Sequence, residues 1–292
     1  MAGPWPRHAL DRRVAETLTA LVGISAPSGA EGEVRGWLRD RLERLGLACA
    51  VDGAGNLIAS VAGRGDAGRP LLLNAHMDRV PPGCGHTPVV RDGVMRSDGT
   101  TNLGADDAAG IAIVLLAVER ALADNAPHPP LALLFTTGEE VGLRGAAAFD
   151  PAPWGAREGL VFDNAGAPGA LVTRGASYIA FDVVLRGRGG HPGKDLAGTL
   201  SAIAILRQVD LPLGSRDGDT TRVSLGQISG GTARNAIPAE VRVAGEVRTL
   251  LEGAARRRLL RDIAARFTSA AKALGGMAEV QFDPHGAGYT VG

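Results

Sequence analysis

The spacing of apolar and polar positions divides this chain into two parts. Up to about residue 174, continuous apolar runs such as 70–75 and 131–137 alternate with segments of helical periodicity. Such runs are typical of strands buried on both faces, and their alternation with helices predicts an α/β sandwich with a largely parallel sheet. The predicted elements are helices at 11–24, 31–45 and 107–123 and strands at 47–51, 56–62, 70–75, 131–137 and 160–162.

Beyond residue 174 the apolar residues follow a different pattern. Residues 177–185 alternate between apolar and more polar positions, as expected for a strand with one buried face. The elements come in the order strand, helix, strand, strand, helix, strand, which predicts a ferredoxin-like α+β domain with an antiparallel sheet and helices on one face. They are expected at 177–185, 197–208, 221–227, 239–248, 252–274 and 277–283.

Composition argues against several classes of partner. The 292 residues carry 31 basic and 31 acidic side chains, so the net charge is zero and neither nucleic acid nor an anionic membrane is expected to bind. The longest apolar run, 111–118, is too short to span a bilayer, and the first residues show no signal-peptide core. Two cysteines, Cys49 and Cys84, do not make a disulfide framework. We therefore expect a cytoplasmic protein.

A turn over residues 25–29 separates the first two predicted helices. Its Ser28 is followed three residues later by Glu31, which is the spacing of a capping box. We therefore expect the Ser28 side chain to cap the helix over 31–45.

Acidic and imidazole side chains recur at the ends of predicted strands and at the start of a predicted helix. The set consists of His76, Asp78, Asp106, Asp107, Glu139, Glu140 and Asp163. Because an α/β sheet places its active site at the carboxyl ends of its strands, we expect these side chains to meet there. Imidazole and carboxylate groups are the ligands that zinc takes in hydrolases, so the pattern predicts a metal-dependent hydrolase.

Each pair taken alone also has an ordinary structural explanation. Asp106 and Asp107 precede an apolar helix, where aspartate is a favoured N-cap, and Glu139 and Glu140 stand at a second helix start. The occurrence of these pairs together with His76 in one chain favours the metal site. In such a site one glutamate binds metal while its neighbour takes a proton from an activated water.

These residues lie in three motifs that resemble a known enzyme family. The motifs are Asn74-Ala-His-Met-Asp78, Leu103-Gly-Ala-Asp-Asp-Ala-Ala-Gly-Ile-Ala112 and Phe135-Thr-Thr-Gly-Glu-Glu-Val-Gly-Leu-Arg-Gly-Ala146. They resemble the dinuclear zinc family that includes peptidase T, carboxypeptidase G and succinyl-diaminopimelate desuccinylase, and most of all its peptidase T branch. The resemblance implies two zinc ions, bound by His76, Asp106 as the bridge, Glu140 and Asp163, with Asp78 behind His76 and Glu139 as general base.

The resemblance continues into the second domain. Three glycine-containing segments look like the family's lid and substrate-binding segments, namely 187–193, 230–238 and 245–248. This likeness implies that His191, Asn235 and Arg248 face the substrate. It also implies that the ferredoxin-like domain is an inserted lid that forms a homodimer. The expected regions are 1–174 (catalytic and metal-binding), 175–284 (lid) and 285–292 (the start of a return to the catalytic domain).

The resemblance also implies a segment that follows the lid. Members of the family return from the lid into the catalytic domain, and the returning segment carries a late histidine that completes the second zinc site. The sequence stops at Gly292, and its last histidine, His285, lies at the predicted hinge. We therefore expect an incomplete catalytic sheet, a second zinc site with one protein ligand too few, and weak or no hydrolysis by this chain alone.

Three functions remain open at this point. The first is a peptidase T-like aminopeptidase that acts on small peptides, and the second is an amidase or deacylase of N-acyl amino acids in the same family. The third is a non-catalytic remnant that binds peptide through the lid. Metal content separates the first two from the third, and substrates with free or blocked N-termini separate the first from the second.

Overall fold

The structure, a computed structural model, describes residues 7–65, 68–167, 169–194 and 196–291. The chain divides into two units, Met1–Gly166 and Ala167–Gly292. Their border lies a few residues before the one expected at residue 174. In the described part of the chain, no helix is long and apolar enough to cross a membrane.

The first unit contains the predicted helices and strands, and it adds a hairpin. Its helices are α1 (Arg7–Gly23), α2 (Gly32–Arg44), α3 (Ala108–Asp124) and α4 (Arg144–Ala148), with a 3-10 turn at Ala152–Trp154. Its strands are β1 (Cys49–Val51), β2 (Leu57–Val61), β3 (Leu71–His76), β4 (Pro88–Arg91), β5 (Val94–Ser97), β6 (Leu131–Thr136) and β7 (Glu158–Val161). The hairpin β4–β5 was not predicted, although its turn residues Asp92 and Gly93, both with positive φ, are a recognised hairpin signal.

Five of these strands form one sheet in the order β1-β2-β6-β3-β7. The pairs β6–β3 and β3–β7 are parallel, whereas β1–β2 and β2–β6 are antiparallel. The predicted α/β class is confirmed, with the parallel pairing confined to β6, β3 and β7. His76 at the end of β3 lies opposite Thr136 at the end of β6. The carboxyl ends of the three parallel strands therefore lie side by side.

Helix α3 packs on β3 and fixes the position of the loop before it. Its apolar residues Ile111 and Leu115 are fully buried and join the core of the first unit. Asp107 caps the helix, since its side chain accepts a hydrogen bond from Gly110 N at 3.0 Å. A Cβ on Gly110 would lie 2.5 Å from the carbonyl oxygen of Phe162, so only glycine allows this close approach. The start of α3 is thereby held against the chain that leaves β7.

The capping box that we expected at the start of α2 does not form, so this prediction is wrong. Glu31 is the N-cap residue of α2, and no side-chain capping bond forms there. Ser28 instead donates its hydroxyl to Asp78 Oδ2 at 2.7 Å. The Asp78 carboxylate is completely buried, and a buried carboxylate needs hydrogen-bond donors, which accounts for the direction of the Ser28 hydroxyl.

The second unit has the predicted ferredoxin-like arrangement with short additions. Its sheet is antiparallel throughout, in the order β10-β11-β12-β9-β13. Its elements are β8 (Arg174–Gly175), β9 (Ser177–Arg186), a 3-10 turn (Leu196–Gly198), α5 (Ala202–Arg207), β10 (Gly214–Arg216), β11 (Thr221–Gly230), β12 (Glu240–Thr249), α6 (Gly253–Ala273), β13 (Met277–Gly286) and β14 (Tyr289–Thr290). Phe181 of β9 is buried with Ile205 of α5 and Phe267 of α6, so both helices cover one face of the sheet. The short strands β8, β10 and β14 were not predicted.

Candidate metal centre

Three neighbouring strand ends bring the predicted residues of the first unit together. β3 ends at His76, Glu139 follows β6 after Thr137 and Gly138, and Asp163 follows β7. Because β6, β3 and β7 are parallel neighbours, these side chains emerge at one edge of the sheet. The complete cluster consists of His76, Asp78, Asp106, Glu139, Glu140 and Asp163.

The imidazole of His76 is buried and held in one orientation. Its Nδ1 lies 3.0 Å from the backbone oxygen of Asp78 and 3.4 Å from Asp78 Oδ1. Nδ1–H therefore donates to Asp78, which leaves the Nε2 lone pair free in the neutral ring. Nε2 faces carboxylate oxygens of Asp106, Glu139 and Asp163 at 3.2, 3.9 and 4.0 Å. This is the orientation that a metal-binding histidine requires.

Asp78 supports the cluster from behind. Its carboxylate is completely buried and accepts the backbone N–H of Glu139 at 2.8 Å and that of Glu140 at 3.2 Å, besides the Ser28 hydroxyl. Burial alone would raise its pKa, but the hydrogen bonds from His76, Ser28 and the Glu139 amide lower the pKa to about 2. Asp78 therefore stays ionised. Its hydrogen bonds orient the His76 ring and the loop that carries Glu139 and Glu140.

The adjacent residues Asp106 and Asp107 have different surroundings, and the peptide bond between them is cis. The Asp106 side chain is 69% exposed and reaches His76. Asp107 is buried and accepts hydrogen bonds from His76 N at 3.1 Å and Gly110 N at 3.0 Å. Burial raises the pKa of Asp107 to about 8, against the opposing influence of His76. Asp107 therefore caps helix α3, and the exposed carboxylate of Asp106 can bind a metal ion.

The donor set of this cluster fits a divalent cation. His76 forms one group with Asp106 and Asp163 and another with Glu139 and Glu140, and in each group the donor atoms lie within 4.8 Å of one another. Burial, and then the neighbouring carboxylates, raise the pKa of Glu139, Glu140 and Asp163. No lysine or arginine among the described residues forms an ion pair with these acids. Carboxylates that converge on an imidazole without a lysine or arginine partner are typical of a metal centre.

A small cavity of about 60 Å³ lies beside the cluster. Polar and apolar side chains share its wall, which is formed by Asn74, His76, Thr136, Glu139, Leu143, Ala146, Val161 and Asp163. His76 and Glu139 both line it, so there is space for a small group beside them.

The predicted residues of the second unit fall at two places within that unit. His191 and Asn235 are exposed and lie on loops joined by the bridge between Gly190 and Ile237, where Ile237 N donates to Gly190 O at 2.9 Å. Arg248 lies at the opposite end of β12. The side chain of His285, the last histidine, lies outside the described residues.

Arg248 is held in place by its neighbours in the sheet. Its guanidinium lies 4.2 Å from the centre of the Tyr178 ring, and its Nε donates to Glu246 at 3.3 Å. It lines a cavity of about 590 Å³ together with Arg174 and Arg222. Asp219 and Glu246 line it too, and they pair with Arg222 and Arg248, so the cavity carries charges of both signs.

Asn56 supports the site and was not among the predicted residues. The Asn56 side chain accepts the backbone N–H of Thr137 at 3.1 Å and donates to Gly145 O at 2.9 Å, so it braces the loop after β6. Asn56 stands 81 residues from Thr137, and no local signal marks that contact.

Two regions of the chain match known peptidase domains. Residues 56–173 match peptidase family M28, and residues 175–274 match a peptidase dimerisation domain. The first match covers all the clustered residues described above, and the second covers most of the second unit.

Three relatives match over nearly the whole chain. The uncharacterized protein YqjE of Bacillus subtilis is 32% identical over 283 residues, which cover 94% of this chain and 76% of that protein. The crystal structure of the aminopeptidase PepT from Bacillus cereus is 30% identical with a TM-score of 0.89, and that of a tripeptidase from Staphylococcus aureus is 28% identical with a TM-score of 0.90. Each structure matches over 97% of this chain and 78% of its own. The chain thus spans about three quarters of the length of these relatives.

Replacing His76 with alanine should abolish metal binding, because both groups of donor atoms share this imidazole. The bound zinc of purified protein can be measured by elemental analysis after dialysis. His128→Ala is the matched control, since the His128 ring lies outside both groups and contacts Pro129 O at 2.8 Å. Equal zinc in the wild type and His76→Ala would rule the site out.

Metal binding should release a proton from His76. Burial disfavours the charged ring, but the hydrogen bond to Asp78 and the charges of Asp107, Glu139 and Asp163 outweigh it and raise the pKa to about 9. Below that pH the metal-free ring is protonated, so a metal must displace the Nε2 proton. Zinc titration calorimetry in buffers of different ionisation enthalpy should show a release at neutral pH that fades as the pH rises through this pKa. A release that does not change over that range would contradict the prediction.

Proposed function

The chain belongs to the M20/peptidase T-like family of metallopeptidases, and we propose that it acts as a zinc-dependent aminopeptidase on small peptides. The observation that carries the proposal is the orientation of His76, whose Nε2 faces three carboxylates while Asp78 holds the other side of the ring. The similarity to the aminopeptidase PepT supports the direction of cleavage.

We assign the ligands by combining the resemblance with the two groups of donor atoms. His76, Asp106 and Asp163, which form one group, would hold one zinc ion, and Glu140 of the other group would hold a second together with Asp106, whose carboxylate is exposed. Within the described residues, the second ion has only carboxylate ligands. When bound, zinc polarises the scissile carbonyl and lowers the pKa of the attacking water.

Glu139 is the general base of the proposed reaction. Its carboxylate is partly buried and lies 3.9 Å from His76 Nε2, beside the cavity that leaves room for a small group. Burial raises its pKa, and this brings the group nearer to the range in which a carboxylate accepts and returns a proton efficiently. Glu139 takes the proton of the attacking water and delivers it to the leaving amine.

Substrate binding is assigned to the second unit. His191 and Asn235 lie on joined loops, and the stacked guanidinium of Arg248 suits a peptide carboxylate through a bidentate pair. We further propose that residues 175–284 act as a lid and form a homodimer, that residues 1–174 carry catalysis, and that residues 285–292 begin a return to the catalytic region.

We also propose a cytoplasmic location. Cys49 and Cys84 are free thiols, which fits a reducing compartment.

Glu139→Gln should keep bound zinc and lose turnover. The amide preserves the shape of the side chain but cannot accept the water proton, and general-base catalysis contributes about 10²–10⁴-fold to a rate. Peptide hydrolysis and zinc content are measured on the same preparations, with Glu43→Gln, an exposed glutamate on α2, as the control. Near-normal hydrolysis by Glu139→Gln would remove Glu139 from this role.

A panel of small peptides should separate the proposed activity from its alternatives. An aminopeptidase should cleave di- and tripeptides with a free N-terminus and leave their N-acetylated counterparts intact, as measured by the release of free amino acid. Preferred hydrolysis of N-acyl amino acids would make the protein a deacylase instead. Peptide binding without bound zinc or hydrolysis would make it a non-catalytic binding protein.

A further inference from the structure

The loop that carries Glu139 and Glu140 is held by side chains at each of four successive backbone amides. After β6 ends at Thr136, the amides have no strand partner, and an unpaired N–H in such a site is costly. Side-chain oxygens accept them all: Thr137 N binds Asn56 Oδ1 at 3.1 Å, Gly138 N binds Glu31 Oε1 at 3.1 Å, Glu139 N binds Asp78 Oδ1 at 2.8 Å and Glu140 N binds Asp78 Oδ2 at 3.2 Å.

Glu31 is the most distant of these acceptors in the sequence. It lies 107 residues from Gly138, is only 5% exposed, and its Oε1 also accepts the N–H of Gly29 at 2.8 Å. The second bond fixes the carboxylate within its own turn. One buried oxygen therefore holds two backbone amides, and it anchors Gly138 to the turn before α2.

The turn that carries Glu31 is itself attached to the end of β3. Arg79 N donates to Ala26 O at 2.9 Å, Pro27 forms a parallel bridge with Arg79, and Ser28 donates to Asp78. The segment from Ala26 to Glu31 therefore reaches the site at two points. Ser28 contacts the carboxylate that binds the amides of residues 139 and 140, and Glu31 binds the amide before them.

Gly138 is the residue at which this loop changes direction. Its φ is +59°, in the left-handed region, and a Cβ there would lie 3.2 Å from Arg144 Cβ. A glycine imposes no conformation of its own. The direction in which Glu139 and Glu140 leave the loop therefore depends on the hydrogen bonds that hold it. The carbonyls of residues 137–139 accept from the backbone of residues 142–145, and the amide of Gly138 donates to Glu31.

We propose that Glu31 is a positioning residue for Glu139 and Glu140: through Gly138 N it sets the direction of the general base and of a metal ligand. The proposal rests on the roles assigned above to these two glutamates. Glu31 touches neither zinc nor substrate in this scheme, and it makes no capping bond to α2. Its carboxylate acts by holding the loop.

A second buried glutamate of the same unit provides the contrast. Glu119 of α3 is 7% exposed and pairs with Arg13 of α1 and Arg41 of α2. It ties three helices together and has no contact with the loop over 137–140. Loss of Glu119 should lower stability without changing the site, so it controls for the general effect of removing a buried acid.

The test compares Glu31→Ala, Glu31→Gln and Glu119→Ala by three measurements: amide hydrogen exchange of residues 137–140, affinity for zinc alone, and kcat and KM on a small peptide. Glu31→Ala should speed exchange at Gly138, weaken zinc binding and lower kcat about 10–100-fold, the usual cost of losing a partner that orients a ligand, with little change in KM. Glu31→Gln should restore all three, because its amide oxygen can still accept both N–H groups. Glu119→Ala should lower only the unfolding midpoint.

Several results would overturn the proposal. Wild-type exchange and zinc affinity in Glu31→Ala would do so, and so would faster exchange with unchanged affinity and kcat, or equal losses in the Ala and Gln variants. If Glu31→Ala does not fold, Glu31→Asp replaces it. Its side chain is one methylene group shorter, so the carboxylate lies farther from Gly138 N. Wild-type values in Glu31→Asp would also overturn the proposal. A wild type that hydrolyses no peptide bears on the proposed function alone, because exchange and zinc affinity still decide on Glu31.

Discussion

The architecture of the candidate site depends on the buried carboxylate of Asp78. A charge without exposure to water destabilises a fold unless hydrogen bonds satisfy it. Here it accepts from the amides of Glu139 and Glu140 and from Ser28, and the His76 ring lies against it. Burial alone would raise its pKa, but these hydrogen bonds lower it to about 2, so the group stays ionised. One carboxylate thereby joins the end of β3, the loop after β6 and the turn before α2.

The place of the site could be predicted from the sequence because it follows from local pattern. His76, Glu139 and Asp163 each come after an apolar run, and parallel strands align their carboxyl ends. The partners of Ser28 and Glu31 could not be predicted in this way, since they lie 50 and 107 residues away. A capping-box spacing looks the same whether its side chains turn back to the helix or reach another segment. Only the packed structure distinguishes the two.

The neighbouring acids Asp106 and Asp107 illustrate what local chemistry can decide. Aspartate is a favoured N-cap, so the sequence allowed either of them to serve the helix. Asp107 directly precedes the first helical residue, Ala108, and it takes the capping role. Its second oxygen also binds the backbone of His76, a contact that no helix rule contains. The helix start and the end of β3 are therefore coupled through a residue that is not itself a candidate ligand.

The remaining carboxylates gather more negative charge than the single protonated ring of His76 can neutralise. The raised pKa values of Glu139, Glu140 and Asp163 mean that their ionisation costs the folded state free energy, increasingly as the pH rises. A bound cation removes that repulsion, so metal affinity and fold stability are linked through the same groups. The fold must hold the repelling carboxylates in place before the cation arrives. The loop amides do this by donating hydrogen bonds to the carboxylates of Asp78 and Glu31, which leaves the oxygens of Glu139 and Glu140 free for the metal.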